Sequence, residues 1–177
     1  MSQATTEAKP ARQTLAGKYL TFTLQGESYG IEVLKVREII RHISITSVPQ
    51  MPAHICGVIN LRGKIIPVMD LRRRLDFPNI ANTDQTCTVV VQVKLPEGKV
   101  TPMGLVVDGV EEVISLHAAD IEETPNFGGQ IAANYILGMA KVKGSVKTLL
   151  DIDGVVGADT AQSLNLPNLI NNKNTPS

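Results

Sequence analysis

The chain has 177 residues, of which 43% are hydrophobic, and its 17 Lys and Arg residues balance 17 Asp and Glu residues, so the formal net charge is zero. This composition is typical of a globular protein with one domain or two small ones. Zero net charge and an aromatic fraction of 3% argue against a nucleic-acid-binding protein, which needs Lys and Arg against phosphates and aromatic rings for base stacking.

The two ends of the chain and its cysteines give further expectations. The start of the chain lacks the apolar segment of a signal peptide, and no apolar run approaches the roughly 20 residues that span a bilayer, so we expect a cytoplasmic protein that is not inserted in a membrane. Residues 1–16 are small and polar and predict a disordered tail, and the Asn-rich residues 161–177 predict a flexible one. Cys56 and Cys87 are expected to be small hydrophobic residues in strands and not a disulfide.

Short strands dominate the body of the chain. Residues 19–24 alternate apolar and polar side chains, and a turn at Gly26 leads to an extended segment at 29–31. Residues 33–40 have apolar residues at helical spacing, but β-branched side chains fill the segment, so a helix and a strand both remain open. Further strands are predicted at 43–48, 55–59, 65–69, 88–93, 101–107, 110–116, 135–142 and 146–150.

Two connections between these strands carry distinctive residues. Asn60-Leu61-Arg62-Gly63 joins the strands at 55–59 and 65–69, and it predicts a hairpin with positive φ at the glycine. Residues 71–75 predict one or two helical turns that contain the basic run Arg72-Arg73-Arg74. This run is either a solvated helix face or a contact for an acidic partner.

An internal repeat is the most informative feature of the sequence. The first block runs from Ile55-Cys56-Gly57 through Arg62-Gly63 to Asp70-Leu71, and it recurs 81 positions later as Ile136-Leu137-Gly138, Lys143-Gly144 and Asp151-Ile152. A second block, which begins at Gly30-Ile31, recurs 74 positions later at Gly104-Leu105. Two blocks in the same order, separated by a single length change, indicate two copies of one small β unit. Each copy has the size of a small closed barrel, and two thin cores of this size are expected to pack on each other.

The sequence contains no motif typical of an enzyme active site. The three histidines, His42, His54 and His117, are scattered, and no phosphate-binding glycine loop or nucleophile elbow occurs. Asp108-Gly109 lies between two apolar runs and predicts a turn and not a phosphate or metal site. We therefore expect no catalytic residue, no metal and no cofactor, and interpret the chain as a binding module.

The motifs that remain resemble one known family. Glu38 and its neighbours in Gly30–Ile39, the N-x-R-G run at Asn60–Gly63 and Pro67-Val68-Met69-Asp70-Leu71 closely resemble CheW, the coupling-protein family of bacterial chemotaxis. The similarity covers residues 18–156. It implies an all-β fold of two packed five-stranded SH3-like β-barrels with a few short helices. The CheW-like domain is then expected at 17–160, with one lobe at about 18–80 and the other at about 81–150, and with terminal segments free to exchange between the lobes.

The resemblance also implies a function and partners. Members of this family are non-enzymatic adaptors of two-component signalling that connect the cytoplasmic tips of methyl-accepting chemoreceptors to the regulatory domain of the histidine kinase CheA. The expected location is therefore the inner face of the membrane, reached through receptor arrays and without membrane insertion or nucleic acid. The alternative from another class is a ligand-binding or enzymatic double barrel with a pocket between its lobes.

The family's partner-binding residues carry over to eight positions of this chain. Glu38 and Arg62 are implied to form a charged pair on the first lobe, flanked by Val36, Ile39 and Gly57, and the second lobe contributes Gly104, Val110 and Val113. Structural roles remain open for the two glycines as tight backbone sites and for the two second-lobe valines as core. Arg62 lies at a predicted hairpin tip, where a folding role is hard to see and binding is the favoured role.

Overall fold

The structure is a computed structural model that describes residues 15–41, 43–78, 80–95, 97–123 and 135–157. His42 and the two predicted tails lie outside these residues, except for Leu15 and Ala16 at the end of the first tail. The strands are β1 (Gly17–Leu24), β2 (Glu27–Glu32), β3 (Val36–Arg41), β4 (Ile55–Leu61), β5 (Lys64–Asp70), β6 (Cys87–Lys94), β7 (Val100–Val107), β8 (Gly109–Leu116), β9 (Ile121–Glu122), β10 (Ile136–Val142) and β11 (Ser145–Leu150). Helical segments are short and comprise 3-10 turns at Val33–Lys35 and Ala118–Asp120, helix α1 (Leu71–Arg74) and residues 152–157.

The described strands form two mixed sheets. Sheet A has six strands in the order β8-β1-β2-β11-β10-β9, and sheet B has five in the order β3-β6-β7-β5-β4. Neighbouring strands are antiparallel except for β2 with β11 and β5 with β7, which are parallel. The predicted all-β class is confirmed, whereas closure of each sheet into a barrel stays a prediction.

The pairing between strands follows the internal repeat. In sheet B, Val68 of β5 pairs with Gly104 of β7, and in sheet A the equivalent residues of the other copies, Leu149 of β11 and Gly30 of β2, pair with each other. Each sheet therefore combines strands from both copies: sheet A takes β1 and β2 from the first copy, and sheet B takes β6 and β7 from the second. The predicted lobe boundaries themselves stay a prediction.

Two hairpins, β4–β5 and β10–β11, are the clearest repeat equivalents. Both turn through two consecutive residues with positive φ, which are Arg62 (53°) with Gly63 (86°) and Lys143 (50°) with Gly144 (83°). Such pairs form the tight hairpin turn whose twist matches that of the flanking strands. A shift in strand register also occurs at the same place in both hairpins, just before Gly57 and just before Gly138. The predicted positive φ at Gly63 is confirmed.

Most of the core is aliphatic and joins the two sheets. The largest cluster contains residues of sheet A, such as Phe22 and Ile31, together with residues of sheet B, such as Val89 and Leu105. A smaller cluster around Leu149 belongs to sheet A and another around Ile59, Ile66 and Val68 belongs to sheet B. Because the two sheets share their largest cluster, each stabilises the other by burying apolar surface.

Two segments differ from the expected strands. The strand predicted at 43–48 is wrong, since only Thr46 makes a bridge, with two backbone hydrogen bonds of 2.8 Å to Val58. Residues 44–47 are exposed, and the apolar side chain of Ile45 does not pack on either sheet as it would in a strand. In the segment 33–40 the strand alternative is confirmed from Val36 onward, after a single 3-10 turn. The β-branched residues there favour the extended conformation.

The three arginines of the basic run have different environments. Arg72 is 2% exposed and its guanidinium bonds to Asp70 and Asp108, each at 2.9 Å. Arg74 donates to the carbonyl oxygen of Val155 at 2.7 Å, and only Arg73 is largely exposed. The expectation of one solvated or partner-binding face is therefore wrong for this run. Asp108 is the residue at which the chain passes from sheet B to sheet A, so Arg72 ties α1 to that crossing.

Candidate functional site

The β4–β5 turn holds an arginine in a fixed backbone conformation. Arg62 has φ of 53°, a left-handed conformation that is uncommon for residues other than glycine. The side-chain oxygen Oδ1 of Asn60 accepts a hydrogen bond of 2.9 Å from the backbone N–H of Gly63, which closes the turn around Arg62. Asn is well suited to this role because its short amide reaches backbone groups two or three residues away. The N-x-R-G run is therefore a braced turn with an arginine at its tip.

Glu38 of β3 is the partner of this arginine. Nη1 of Arg62 lies 2.6 Å from Oε2 of Glu38, and Nη2 lies 3.0 Å from Oε1, so the pair is bidentate. The strands β3 and β4 are at opposite edges of sheet B, and the ion pair connects those edges. The hydrogen bonds from Arg62 hold the pKa of Glu38 below its ordinary value, and the charges of Arg62 and Arg37 act in the same direction.

The pair stands at the surface and retains binding capacity. The Arg62 side chain is 74% exposed and that of Glu38 is 29% exposed. A guanidinium has five N–H donors in a planar fork, of which the bidentate contact with a carboxylate uses two. The remaining donors are suited to carbonyl or carboxylate acceptors of another protein. Glu38 fixes the direction of the fork and lowers the entropy cost of such a contact.

Val36 and Ile39 lie on the other face of β3. In the β3–β6 pairing, Val36 is opposite Val91 and Ile39 is opposite Val89, and both of these valines belong to the shared core. Glu38 is opposite Val90, whose side chain points to the other face of the strand. Val36 is partly buried against the shared core, whereas Ile39 is 43% exposed at its margin. Glu38 therefore lies on one face of β3, where it contacts Arg62, and Val36 and Ile39 lie on the other face of the same strand.

The second copy contains equivalents of these residues on β8. Val110 and Val113 lie 74 positions after Val36 and Ile39; Val110 packs against the shared core and Val113 is 55% exposed. The same spacings identify Glu112 and Lys143 as the equivalents of Glu38 and Arg62, and both are exposed. The internal repeat aligns both residues with the first-copy pair, but neither was among the eight predicted partner-binding positions.

The two glycines have structural roles at their positions. A Cβ atom on Gly57 would lie 2.0 Å from the carbonyl oxygen of Thr46, and the φ of Gly57 is +147°. Gly104 is buried within sheet B, where a Cβ atom would lie 2.8 Å from the Cγ2 atom of Thr88. Glycine is therefore required at Gly57 by a close backbone approach, and at Gly104 by the packing of neighbouring strands.

The cysteines, the metal-ligating side chains and a surface pocket bear on the alternative functions. Partial burial raises the pKa of the Cys56 thiol to about 11, Cys87 is buried, and both cysteines are free. No cluster of three metal-ligating side chains occurs among the described residues. A surface pocket of about 290 Å³ is lined by residues 15–19 and 32–34, which lie on β1, β2 or the segments adjoining them. This pocket is not a cleft between the sheets. The enzymatic alternative has no support.

Comparison with known proteins agrees with this geometry. The family model described as the CheW-like domain matches residues 18–159. The chemotaxis protein CheW of Klebsiella aerogenes is 34% identical over 90% of this chain and 93% of its own length, and that of Bacillus subtilis is 32% identical over 82% and 90%.

A solved structure shows the same architecture. The scaffolding protein TtCheW from Thermoanaerobacter tengcongensis superposes with a TM-score of 0.74 at 31% identity, over 84% of this chain and 98% of that protein. Within the part of the chain that the structure describes, no helix is long and apolar enough to cross a membrane. The strand order, the repeat and these similarities lead to one assignment: the chain belongs to the CheW-like family.

Proposed function

We propose that this chain is a chemotaxis coupling adaptor that connects the cytoplasmic tips of methyl-accepting chemoreceptors to the regulatory domain of the histidine kinase CheA. The observation that carries the proposal is the similarity to CheW proteins over nearly their whole length, 93% in the Klebsiella aerogenes protein. The adaptor acts by binding partners and not by catalysis. It reaches the inner face of the membrane through the receptors it binds.

The Glu38–Arg62 pair supports a partner-binding role for the surface of sheet B where it connects the edge strands β3 and β4. An exposed ion pair contributes little to folding, so stability is a weak reason for a bidentate arrangement at the surface. At an interface the same guanidinium gives directed, charge-assisted hydrogen bonds, and Arg is enriched among the residues that dominate binding energy. Ile39, 43% exposed on the opposite face of the same edge strand, offers apolar surface for a contact separate from the pair.

The repeat supports a second surface of different chemistry. An adaptor needs at least two surfaces, and the exposed residues Val113, Glu112 and Lys143 lie where the repeat places the counterparts of the first surface. Lys143 replaces the planar fork of Arg62 by a point charge, which forms less directional contacts. Two related but unequal surfaces allow one small protein to distinguish two partners.

The substitution Arg62→Ala tests this proposal. We expect roughly a 30-fold or greater loss of affinity for the CheA regulatory domain, because a charge-assisted contact at an interface is removed. The melting temperature is expected to change by only a few degrees, because exposed ion pairs contribute little to folding. Affinity is measured by isothermal titration calorimetry and stability by circular dichroism, each against the parent protein.

Lys64→Ala is the matched control, because it removes another exposed cation from the same hairpin. We expect this control to bind CheA within about twofold of the parent. Unchanged affinity of Arg62→Ala would refute the binding role of Arg62. A parallel fall of affinity and melting temperature would assign Arg62 to closure of its own hairpin.

A further inference from the structure

The turn that presents Arg62 contains a second side chain with a role in the same surface. Asn60 lies on β4, is exposed, and points its Oδ1 atom at the N–H of Gly63, 2.9 Å away. We infer that Asn60 is a positioning residue that holds Arg62 against Glu38. The consequence for partner affinity rests on the proposed function, whereas the positioning itself does not.

The backbone conformation of Arg62 makes such a brace useful. A residue with a Cβ atom at φ of 53° is in a sparsely populated region, and such a conformation persists only where surrounding contacts hold it. The two contacts of 2.6 and 3.0 Å use both terminal nitrogens of Arg62 at once, so they depend on the orientation of the guanidinium and therefore on the backbone conformation of Arg62. The hydrogen bond to Asn60 restrains the backbone N–H of Gly63, which belongs to the peptide bond that follows Arg62.

The equivalent hairpin shows that this hydrogen bond is not needed to form the turn. In β10–β11 the residue at the position of Asn60 is Lys141, whose amine is paired with Glu122. The turn there still has φ of 50° and 83° at its two residues. Its brace is of another kind, with the hydroxyl of Ser145 donating to the carbonyl oxygen of Val142 at 2.9 Å. The Asn60 contact therefore accompanies the arginine and its carboxylate partner, and not the hairpin as such.

The first readout is the pKa of Glu38, measured by NMR titration of its side-chain carboxyl group in the full chain. In the parent this pKa lies below its ordinary value because of the hydrogen bonds from Arg62. We expect Asn60→Ala to raise it toward that value and Arg62→Ala to raise it further. In the Arg62→Ala background, Asn60→Ala is expected to cause no additional change. An unchanged Glu38 pKa in Asn60→Ala would overturn the inference.

Ser145→Ala is the matched control, because it removes the side-chain hydrogen bond of the equivalent turn. We expect it to leave the Glu38 pKa as in the parent. Backbone amide spectra of each variant establish that the fold is retained. If Ser145→Ala raised the Glu38 pKa as much as Asn60→Ala does, general loosening would explain the result and the inference would be wrong.

The second readout is affinity for the CheA regulatory domain. Loss of a preorganising contact is expected to weaken binding by roughly threefold to tenfold in Asn60→Ala, and by nothing further in the Arg62→Ala background. A further loss in that background would mean that Asn60 contacts the partner directly, which overturns the positioning role. A raised Glu38 pKa with unchanged affinity would retain the positioning role and refute its proposed consequence for partner affinity.

Discussion

Arg72 is the side chain with the most polar contacts described in the core. Its guanidinium bonds to Asp70, Asp108, Asn82 and the carbonyl oxygen of Ala81, and Asp108 in turn accepts the backbone N–H of Gln25 at 2.7 Å. These contacts join α1, the loop before β6 and the β1–β2 turn. A buried guanidinium is tolerated only when its donors are satisfied and its charge is balanced, and two carboxylates provide both here.

Removal of this side chain is expected to be costly. Arg72→Ala removes the buried counter-charge of Asp70 and leaves only the more distant, exposed Arg73, and we expect the free energy of unfolding to fall by about 3 kcal/mol. Arg73→Ala is the control, because the Arg73 side chain is 55% exposed and its Nε atom lies 3.9 Å from Oδ2 of Asp70. It is expected to cost less than about 0.5 kcal/mol. Urea unfolding followed by circular dichroism suits a chain without Trp, and similar losses in both variants would contradict the role of Arg72.

The sequence did not distinguish these arginines, because their environments depend on distant residues. Asp108 is 36 positions from Arg72, and no local pattern indicates which of three consecutive arginines reaches it. The Glu38–Arg62 pair was identified, but only through family resemblance, since 24 positions separate the two residues. Asn60 is part of the N-x-R-G motif in the sequence. Its hydrogen bond with the N–H of Gly63 explains why the motif begins with Asn.

At the scale of elements, the hairpins were predictable and the segment between β3 and β4 was not. Alternation and a central glycine identify β4–β5, because both are local features. Residues 43–48 are equally β-branched, yet Thr46 alone bridges to β4, directly beside Gly57. That contact depends on the missing side chain of Gly57, since a Cβ atom there would overlap the Thr46 carbonyl oxygen.

Gly57→Ala tests this close approach. A Cβ atom would lie 2.0 Å from the Thr46 oxygen, whereas at the repeat equivalent Gly138 it would lie 3.1 Å from the Glu122 oxygen. We therefore expect Gly57→Ala to lower the free energy of unfolding by at least about 1 kcal/mol more than Gly138→Ala does. Urea unfolding gives the difference, and hydrogen exchange at the Thr46 and Val58 amides reports the local bridge. Equal losses in the two variants would refute the steric explanation.

At the scale of the whole molecule, the two copies exchange strands. The repeat spacings predicted which strands are equivalent, but equivalence does not indicate whether a strand pairs within its own copy or with the other. The structure resolves this, since β3 of the first copy pairs with β6 of the second, and β8 of the second with β1 of the first. The edge strands β3 and β8, which carry Ile39 and Val113, are therefore each anchored on the other copy.

This exchange is suited to a rigid adaptor. Both candidate surfaces rest on one shared aliphatic cluster, so they keep a fixed relation to each other when the fold is intact. A scaffold of this kind orders its partners by geometry and requires no catalytic group. We expect its affinity for each partner to depend on the exposed residues at the edges of the two sheets.

The central claim is that the chain joins receptors to CheA, and sedimentation of receptor-bearing membranes tests it most directly. Purified CheA is mixed at micromolar concentration with these membranes in the presence and absence of the chain, and membranes without receptors serve as the control. We predict that the chain sediments with receptor membranes and that CheA in the pellet increases severalfold when the chain is present. Sedimentation of the chain with neither partner, or CheA recruitment that is independent of the chain, would contradict the adaptor function.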